Sequence, residues 1–366
     1  MRRKRQLAGV VLIGIVAALT VVAPAQGHAL KAIWGPAELP VENVACPNPN
    51  ATCSAFPTYK ALGVDVYQFQ IHWDEVAPTR PAEPRNPNDP AYDWSEIDPI
   101  VQAAVASGIR PAALIQHTPT WASGHRVPFW APKKAEWFAD FAFAASKRYP
   151  SIRMWMIWGE PSRGESFQPM RRGQPEGPRR YAELLDSSYV ALKQASKSNV
   201  VIGGMTLNGG TIPPPQFIEW MKLKNGRPPR MDLWGHNPFD ARFPHLRDKP
   251  LGHFRGFNDI DTLYHEIQAD YRKGGRKVPR LWLSEWTMVS DKPIPLFSGF
   301  FVSRKEQALR LTAAYKIADQ TPYVAGLGWF TLLDEPWTPQ SAAWGLMQYN
   351  GVPKPSYYAF ANALRR

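Results

Sequence analysis

Short stretches rich in apolar residues recur along this chain, and segments with polar positions at helical spacing separate most of them. The clearest run, Met154–Trp158, holds five apolar residues without a charge and stops at Gly159. A run of this kind is typical of a strand buried on both faces. Similar runs predict eight strands, at residues 31–35, 64–73, 111–116, 153–158, 200–207, 232–235, 281–283 and 324–330.

Helical patterns lie between these strands. Residues 97–105 carry an apolar stripe, and further helices are predicted at 133–148, 179–197, 215–223, 261–273, 303–319 and 356–364. Two patterns resemble capping boxes at helix starts, Asp93 to Glu96 and Ser303 to Glu306.

Eight strands alternating with helices predict an α/β protein with a single (β/α)8 barrel over residues 30–366. The competing topology is a doubly wound open sheet. That fold usually carries a glycine-rich phosphate turn after its first strand, and this chain has none. The same absence disfavours a nucleotide-dependent enzyme.

The N-terminal segment has the three parts of a secretory signal. A basic stretch at residues 2–5 precedes an apolar stretch at 7–22, and small residues follow up to Ala29. We therefore predict a signal peptide at residues 1–29 and a secreted or envelope-associated protein. The alternative is an uncleaved N-terminal anchor, because the apolar stretch is only a little shorter than a membrane span. No later stretch is long and apolar enough to span a bilayer.

Composition and charge narrow the class of protein. The chain has 366 residues, 44% hydrophobic and 20% charged, which is enough for a large core. Its net charge is +12, of which the four basic residues of the leader supply four and leave +8. No basic run with interleaved aromatics indicates nucleic acid. The positive charge fits association with an anionic cell envelope or an acidic glycan, or simple solubility, and we expect a monomer.

The chain has two cysteines, Cys46 and Cys53, which flank a short polar loop. In an exported protein this spacing predicts a local disulfide. It is a weak match to a zinc site, so we predict no metal and no cofactor.

Two glutamates stand at the ends of predicted strands. Glu160 follows the fourth strand and Glu285 the seventh. The strands of a parallel barrel deliver their C-terminal residues to one rim, so both carboxyl groups are expected there. A carboxyl group leaving an apolar strand is partly desolvated, which favours its protonated form and suits a general acid. Each glutamate could instead be a structural rim residue.

The motifs around these glutamates resemble those of clan A glycoside hydrolases, most closely their families 39 and 5. The chain reads Trp158-Gly159-Glu160-Pro161 where that clan commonly has Asn-Glu-Pro, and Ser284-Glu285-Trp286 after strand seven. The resemblance covers nearly the whole mature chain. It implies a retaining hydrolase of a carbohydrate substrate, with Glu160 as acid/base and Glu285 as nucleophile.

The chain departs from the resemblance at two positions. Gly159 replaces an asparagine that contacts the sugar, and Phe239 lacks the hydroxyl expected after strand six. Both departures favour an alternative function, a non-catalytic glycan-binding envelope protein on the same scaffold.

Five further residues are candidates for substrate binding. Trp329 matches the clan's strand-eight tryptophan, His117 ends strand three, and Trp121 lies in the loop after it. Trp73 ends strand two and could stack on a sugar, while His236 ends strand six and could donate a hydrogen bond to an ionised Glu285. For each, a structural role is the competing interpretation.

Overall fold

The computed structural model describes residues 28–39, 53–246, 249–291, 299–336, 338 and 341–364. Within them, eight parallel strands close into a barrel in which each strand pairs with its neighbours in chain order. The strands are β1 (Leu30–Trp34), β2 (Val66–His72), β3 (Arg110–Gln116), β4 (Met154–Ile157), β5 (Val200–Leu207), β6 (Leu233–Asn237), β7 (Arg280–Trp286) and β8 (Val324–Phe330).

All eight predicted strands are therefore confirmed, and so is the (β/α)8 barrel. An open doubly wound sheet is excluded because β8 pairs with β1 along its length, from Leu30 opposite Gly326 to Trp34 opposite Phe330.

The first seven of the main helices connect successive strands, and the eighth follows β8. They are α1 (Phe56–Ala61), α2 (Asp98–Ala106), α3 (Ala135–Arg148), α4 (Glu176–Ala195), α5 (Pro214–Trp220), α6 (Ile260–Lys273), α7 (Arg304–Gln320) and α8 (Pro355–Asn362). Helix α1 is absent from the sequence prediction, because proline and tyrosine within its six residues obscure any helical stripe. Short helices at Trp73–Val76 and Thr120–Ser123 follow β2 and β3.

Only one of the two capping patterns starts a helix. Ser303 is the N-cap of α7, and its hydroxyl accepts a hydrogen bond from the Glu306 N–H at 3.1 Å. The other prediction is wrong: α2 begins at Asp98, and the Asp93 carboxylate instead accepts from the Ser95 N–H at 3.0 Å in a turn. A short side chain that bonds two residues ahead closes such a turn as readily as it caps a helix.

The barrel interior holds a polar cluster among apolar side chains. The Gln68 amide and the Trp34 indole both donate to the Ser284 carbonyl, each at 3.0 Å, and the Trp282 indole donates to Gln68 Oε1 at 2.9 Å. All four of these residues are buried. Because the Ser284 carbonyl belongs to the peptide bond that precedes Glu285, these hydrogen bonds fix the backbone that carries Glu285.

Two further predictions, the disulfide and the signal peptide, concern the N-terminal part of the chain. Cys53 lies in a two-residue strand that pairs with Glu38–Leu39, but Cys46 and the predicted signal segment up to residue 27 lie outside the described residues. Among the helices that the structure describes, none has the length and apolarity needed to cross a bilayer.

Candidate active site

The C-terminal ends of the strands surround a cavity of about 720 Å³. Residues at or near the ends of β2, β3, β4, β5, β6, β7 and β8 line it, so it occupies the rim where a barrel of this kind presents its loops. Its polar lining comprises Gln70, Gln116, His117, Glu160, Arg163, Glu165, Ser166, Asn208 and Glu285. The structure thus brings Glu160, Glu285 and His117 together, as the sequence predicts.

Glu160 stands on a constrained turn after β4. The Trp158 N–H donates to the Ile115 carbonyl at 2.8 Å and so continues the pairing with β3. Trp158 and Glu160 then adopt φ values of +63° and +46°, in the left-handed region that costs a non-glycine residue roughly 1–2 kcal/mol. The buried Trp158 indole donates to the Ser166 carbonyl at 2.7 Å. Backbone strain of this kind tends to cluster at the functional sites of proteins.

The Glu160 carboxylate accepts two hydrogen bonds inside the site. Arg163 Nη1 donates to Glu160 Oε2 at 2.5 Å, and the Asn237 amide donates to Glu160 Oε1 at 3.0 Å. Arg163 Nε also lies 3.7 Å from Oε2 of Glu165, whose side chain is largely exposed. Sequence reasoning missed Arg163 and Asn237. Arg163 follows Glu160 by three residues in a loop without periodicity, and Asn237 reaches Glu160 only because β4 and β6 belong to one barrel.

Glu285 interacts electrostatically with Glu160. Its pKa is raised to about 8, first by burial and second by the negative charge of Glu160, while Asn237 and Arg163 act to lower it. The sequence interpretation made Glu285 the ionised member and His236 its partner. The structure instead favours a proton on Glu285 at neutral pH, because burial, and then the negative charge of Glu160, stabilises its protonated form.

His236 does not contact Glu285 and is corrected to a structural residue. It is fully buried, with Nδ1 2.8 Å from the Thr206 hydroxyl and Nε2 2.8 Å from the Arg255 carbonyl. Burial lowers the pKa of His236 to about 4, so its ring is neutral at physiological pH. Its contacts fix the end of β6, from which the next residue, Asn237, reaches the site.

His117 lies on the cavity wall, as a sugar-binding role requires. It has a φ of +65°, its Nδ1 is 3.5 Å from Asp74 Oδ1, and its ring centroid is 4.3 Å from that of His72. The pKa of Asp74 is lowered: burial raises it, but the hydrogen bond and charge of His117 outweigh that effect.

The three tryptophans predicted to bind sugar lie elsewhere. Trp329 is fully buried, with its ring centroid 5.6 Å from that of Trp286, and Trp73 is 1% exposed against Phe141. Neither indole presents a face to the cavity. Trp121 borders a separate cleft of about 510 Å³ together with Trp137. For Trp329 the cause is that side chains on both faces of a barrel strand are buried, so an apolar pattern does not reveal which face borders a cavity. Trp73 and Trp121 belong to the short helices that follow β2 and β3, which the sequence pattern does not predict.

Other aromatic residues form the apolar part of the wall. Phe330 ends β8, and Trp344, from the loop after it, lies 6.2 Å away between ring centroids. The remaining members are Phe129, Phe239 and Phe300. An aromatic wall beside carboxylates and amides suits sugar rings, which are apolar on their faces and polar at their edges. No residues of the described part of the chain form a group of His, Cys, Asp or Glu able to hold a metal ion.

Neither a protein-family model nor a curated protein sequence matches the chain. Its fold, however, is that of solved glycoside hydrolases. A family 39 glycoside hydrolase from Bacteroides cellulosilyticus WH2 superposes with a TM-score of 0.62 at 18% identity, covering 92% of this chain and 63% of that chain. A family 39 enzyme from Xanthomonas axonopodis pv. citri gives 0.60 at 18% identity, with 91% and 65% covered.

A glucosidase from Croceicoccus marinus has a TM-score of 0.64 at 16% identity, covering 92% of this chain and 65% of that chain. The chain therefore spans somewhat less than two thirds of the length of these three proteins. The likeness establishes the barrel that these hydrolases share.

Proposed function

We propose that this protein is a retaining glycoside hydrolase that acts on a polysaccharide or oligosaccharide. One observation carries the proposal: Glu160 and Glu285, from the ends of β4 and β7, line a single cavity in which burial and the charge of Glu160 raise the pKa of Glu285 to about 8. Glycoside hydrolysis by this route needs one protonated and one ionised carboxyl group in the same site. The shared barrel of the family 39 enzymes supports the proposal.

In this mechanism, Glu285 attacks the anomeric carbon while Glu160 protonates the departing oxygen. The resulting glycosyl–Glu285 ester is then hydrolysed by a water that Glu160 deprotonates, and Glu285 is released. The resting proton must lie on Glu160 for the first step. Since the pKa of Glu285 is raised, substrate binding must shift that proton within the pair toward Glu160.

The experiment is a screen of aryl glycosides and polysaccharides with the purified protein and, as control, its Glu285→Gln variant. NMR of the first-formed product should show the anomeric configuration of the substrate. An inverted product contradicts the retaining mechanism, and hydrolysis at equal rates by wild type and variant contradicts the site.

A second function, glycan binding without hydrolysis, is favoured by one contact. Arg163 occupies Glu160 Oε2 at 2.5 Å, the atom that a departing sugar oxygen would approach. The departures from the clan A motifs at Gly159 and Phe239 also favour this second function. If the wild-type protein cleaves no substrate of the panel but binds glycans at this cavity, this second function replaces the first.

Export and a monomeric state complete the proposal. The leader at residues 1–29 and the +8 charge that remains support secretion with retention at an anionic envelope. One solved structure of the same fold is described as a monomeric β-xylosidase from Caulobacter crescentus, which supports a monomer. N-terminal sequencing of the exported protein and gel filtration test both points.

A further inference from the structure

Gly159, the residue just before Glu160, lies against a side chain of the neighbouring strand. A Cβ built on Gly159 would lie 2.9 Å from Gln116 Oε1 and 3.2 Å from Leu114 Cδ2. Gly159 does not have the positive φ that would itself require glycine. Gln116, from the neighbouring strand β3, therefore lies where a side chain at position 159 would begin.

The pairing of β3 with β4 produces this approach. Ile115 pairs with Ile157, so Gln116, the last residue of β3, lies beside the turn that leads to Glu160. Along β3, Ala112 and Leu114 point into the barrel, and Gln116 continues that row at the rim. Its side chain is partly exposed and lines the cavity that contains Glu160 and Glu285.

Contacts with β2 orient the Gln116 amide. Gln116 Nε2 donates to Gln70 Oε1 at 2.9 Å and lies 3.3 Å from His72 Nε2. His72 Nε2 is in turn 2.8 Å from Gln70 Oε1. The amide nitrogen is thus directed toward β2, which leaves Oε1 directed at Gly159 and the cavity.

We propose that Gln116 Oε1 accepts a hydrogen bond from a hydroxyl of the sugar held between Glu160 and Glu285, and so supplies the amide contact that a side chain at position 159 cannot. The inference rests on the proposed function and identifies a specificity-determining residue of that site. Gln70 and His72 engage the amide nitrogen of Gln116, whereas Oε1 lies at the cavity wall, where a hydroxyl of a bound sugar can donate to it.

The test is a reciprocal exchange. Gln116→Ala should lower kcat/KM roughly tenfold, the effect of one lost hydrogen bond to a neutral partner. Gly159→Asn alone should also be impaired, because its Cβ displaces Gln116 Oε1 from its position at the cavity. The double variant, which removes Gln116 and places an amide at 159, should recover activity above either single variant. Additive losses in the double variant would overturn the proposal.

A substrate analogue separates binding from packing. Gln116→Met keeps the length of the side chain without its hydrogen bond, and its melting temperature is measured beside the kinetics. The roughly tenfold loss should appear on the parent glycoside and vanish on the deoxy analogue that lacks the contacted hydroxyl. Equal losses on the parent and on every monodeoxy analogue would show a merely structural role and contradict the proposal.

A binding measurement keeps this test independent of hydrolysis. Calorimetric titration of the Glu285→Gln variant with a xylose or glucose oligosaccharide series is compared with the Glu285→Gln/Gln116→Met variant. Weaker binding to the second variant supports the Gln116 contact even if the wild-type protein hydrolyses nothing, in which case only the hydrolytic function fails. Equal binding by both variants, or no binding by the first, overturns the contact.

Discussion

Arg163 Nη1 donates to Glu160 Oε2 at 2.5 Å, so a cation occupies the carboxylate oxygen that the proposed mechanism requires. The Asn237 amide holds the other oxygen, Oε1, at 3.0 Å. Both contacts are with a side chain that is 16% exposed. A substrate must therefore displace Arg163 from Glu160 before its glycosidic oxygen can be protonated. The guanidinium also acts on Glu285, whose pKa is raised by burial and by the Glu160 charge and lowered by Asn237 and Arg163.

The first prediction is a basic limb in the pH profile near pH 8. With the pKa of Glu285 raised to about 8, the Glu160–Glu285 pair loses its last proton above that pH, and no general acid remains. We expect kcat/KM to fall above about pH 8 in wild type. Arg163→Met removes a positive charge near Glu285. This removal favours the protonated form of Glu285 and should move the basic limb upward by about one pH unit.

Arg180→Met is the matched control for this measurement. Arg180 pairs with Glu183 on α4 and donates to the Pro132 carbonyl, away from the cavity. Its loss should leave the profile unchanged. An unmoved basic limb in Arg163→Met would contradict the electrostatic role assigned to Arg163.

The second prediction concerns stability. The pKa of Glu285 is raised from 4.5 to about 8, so the native state holds this proton more tightly than the unfolded state. The stability contributed by protonated Glu285 is present below about pH 4.5 and is lost as the pH rises through about 8. Glu285→Gln cannot ionise. It should stabilise the protein at pH 9 by on the order of 2 kcal/mol and much less at pH 5.

Urea unfolding at the two pH values measures this difference, with Glu96→Gln as the control at an exposed site. If Glu285→Gln has the same effect on the free energy of unfolding at pH 5 and pH 9, the raised pKa is refuted.

The third prediction separates the roles of the two carboxyl groups. Glu285→Ala should abolish turnover of every substrate. Glu160→Ala should lower rates by ~10²–10⁴-fold with a poor leaving group, but much less with an activated aryl glycoside that needs little protonation. Azide should rescue Glu160→Ala on the activated substrate and give a retained glycosyl azide. With Glu285→Ala the product should be inverted. Wild-type rates in both variants would show the assignment to be mistaken.

The fourth prediction is the Cys46–Cys53 disulfide, based on the short loop and the export signal. The intact mass of the mature protein should be lower by two hydrogens than that of the reduced form. Labelling of two thiols by iodoacetamide without reductant would disprove the bridge.

The barrel fold and the location of its two glutamates at one rim could be predicted from the sequence. An apolar run such as Met154–Trp158 forms a strand that must be buried on both faces. Only a few folds can bury eight such strands that alternate with helices. Because parallel strands end at one rim, locating Glu160 and Glu285 after strands four and seven sufficed to predict that both carboxyl groups lie at this rim.

The sequence did not determine which side chains meet at that rim. Trp329 and His236 have the same chemical character as residues that line a cavity. Their side chains nevertheless point into the protein interior, because strand twist and register set their direction once all eight strands have closed into the barrel. The charge balance of Glu160 and Glu285 likewise depends on Arg163 and Asn237, which approach only in the folded barrel. The sequence therefore determined the order of strands and the strand ends that bear carboxyl groups, because these follow from local hydrophobicity. Only the tertiary structure decided the raised pKa of Glu285, the aromatic wall and the approach of Gln116 to Gly159, because each depends on distances between residues far apart in the chain.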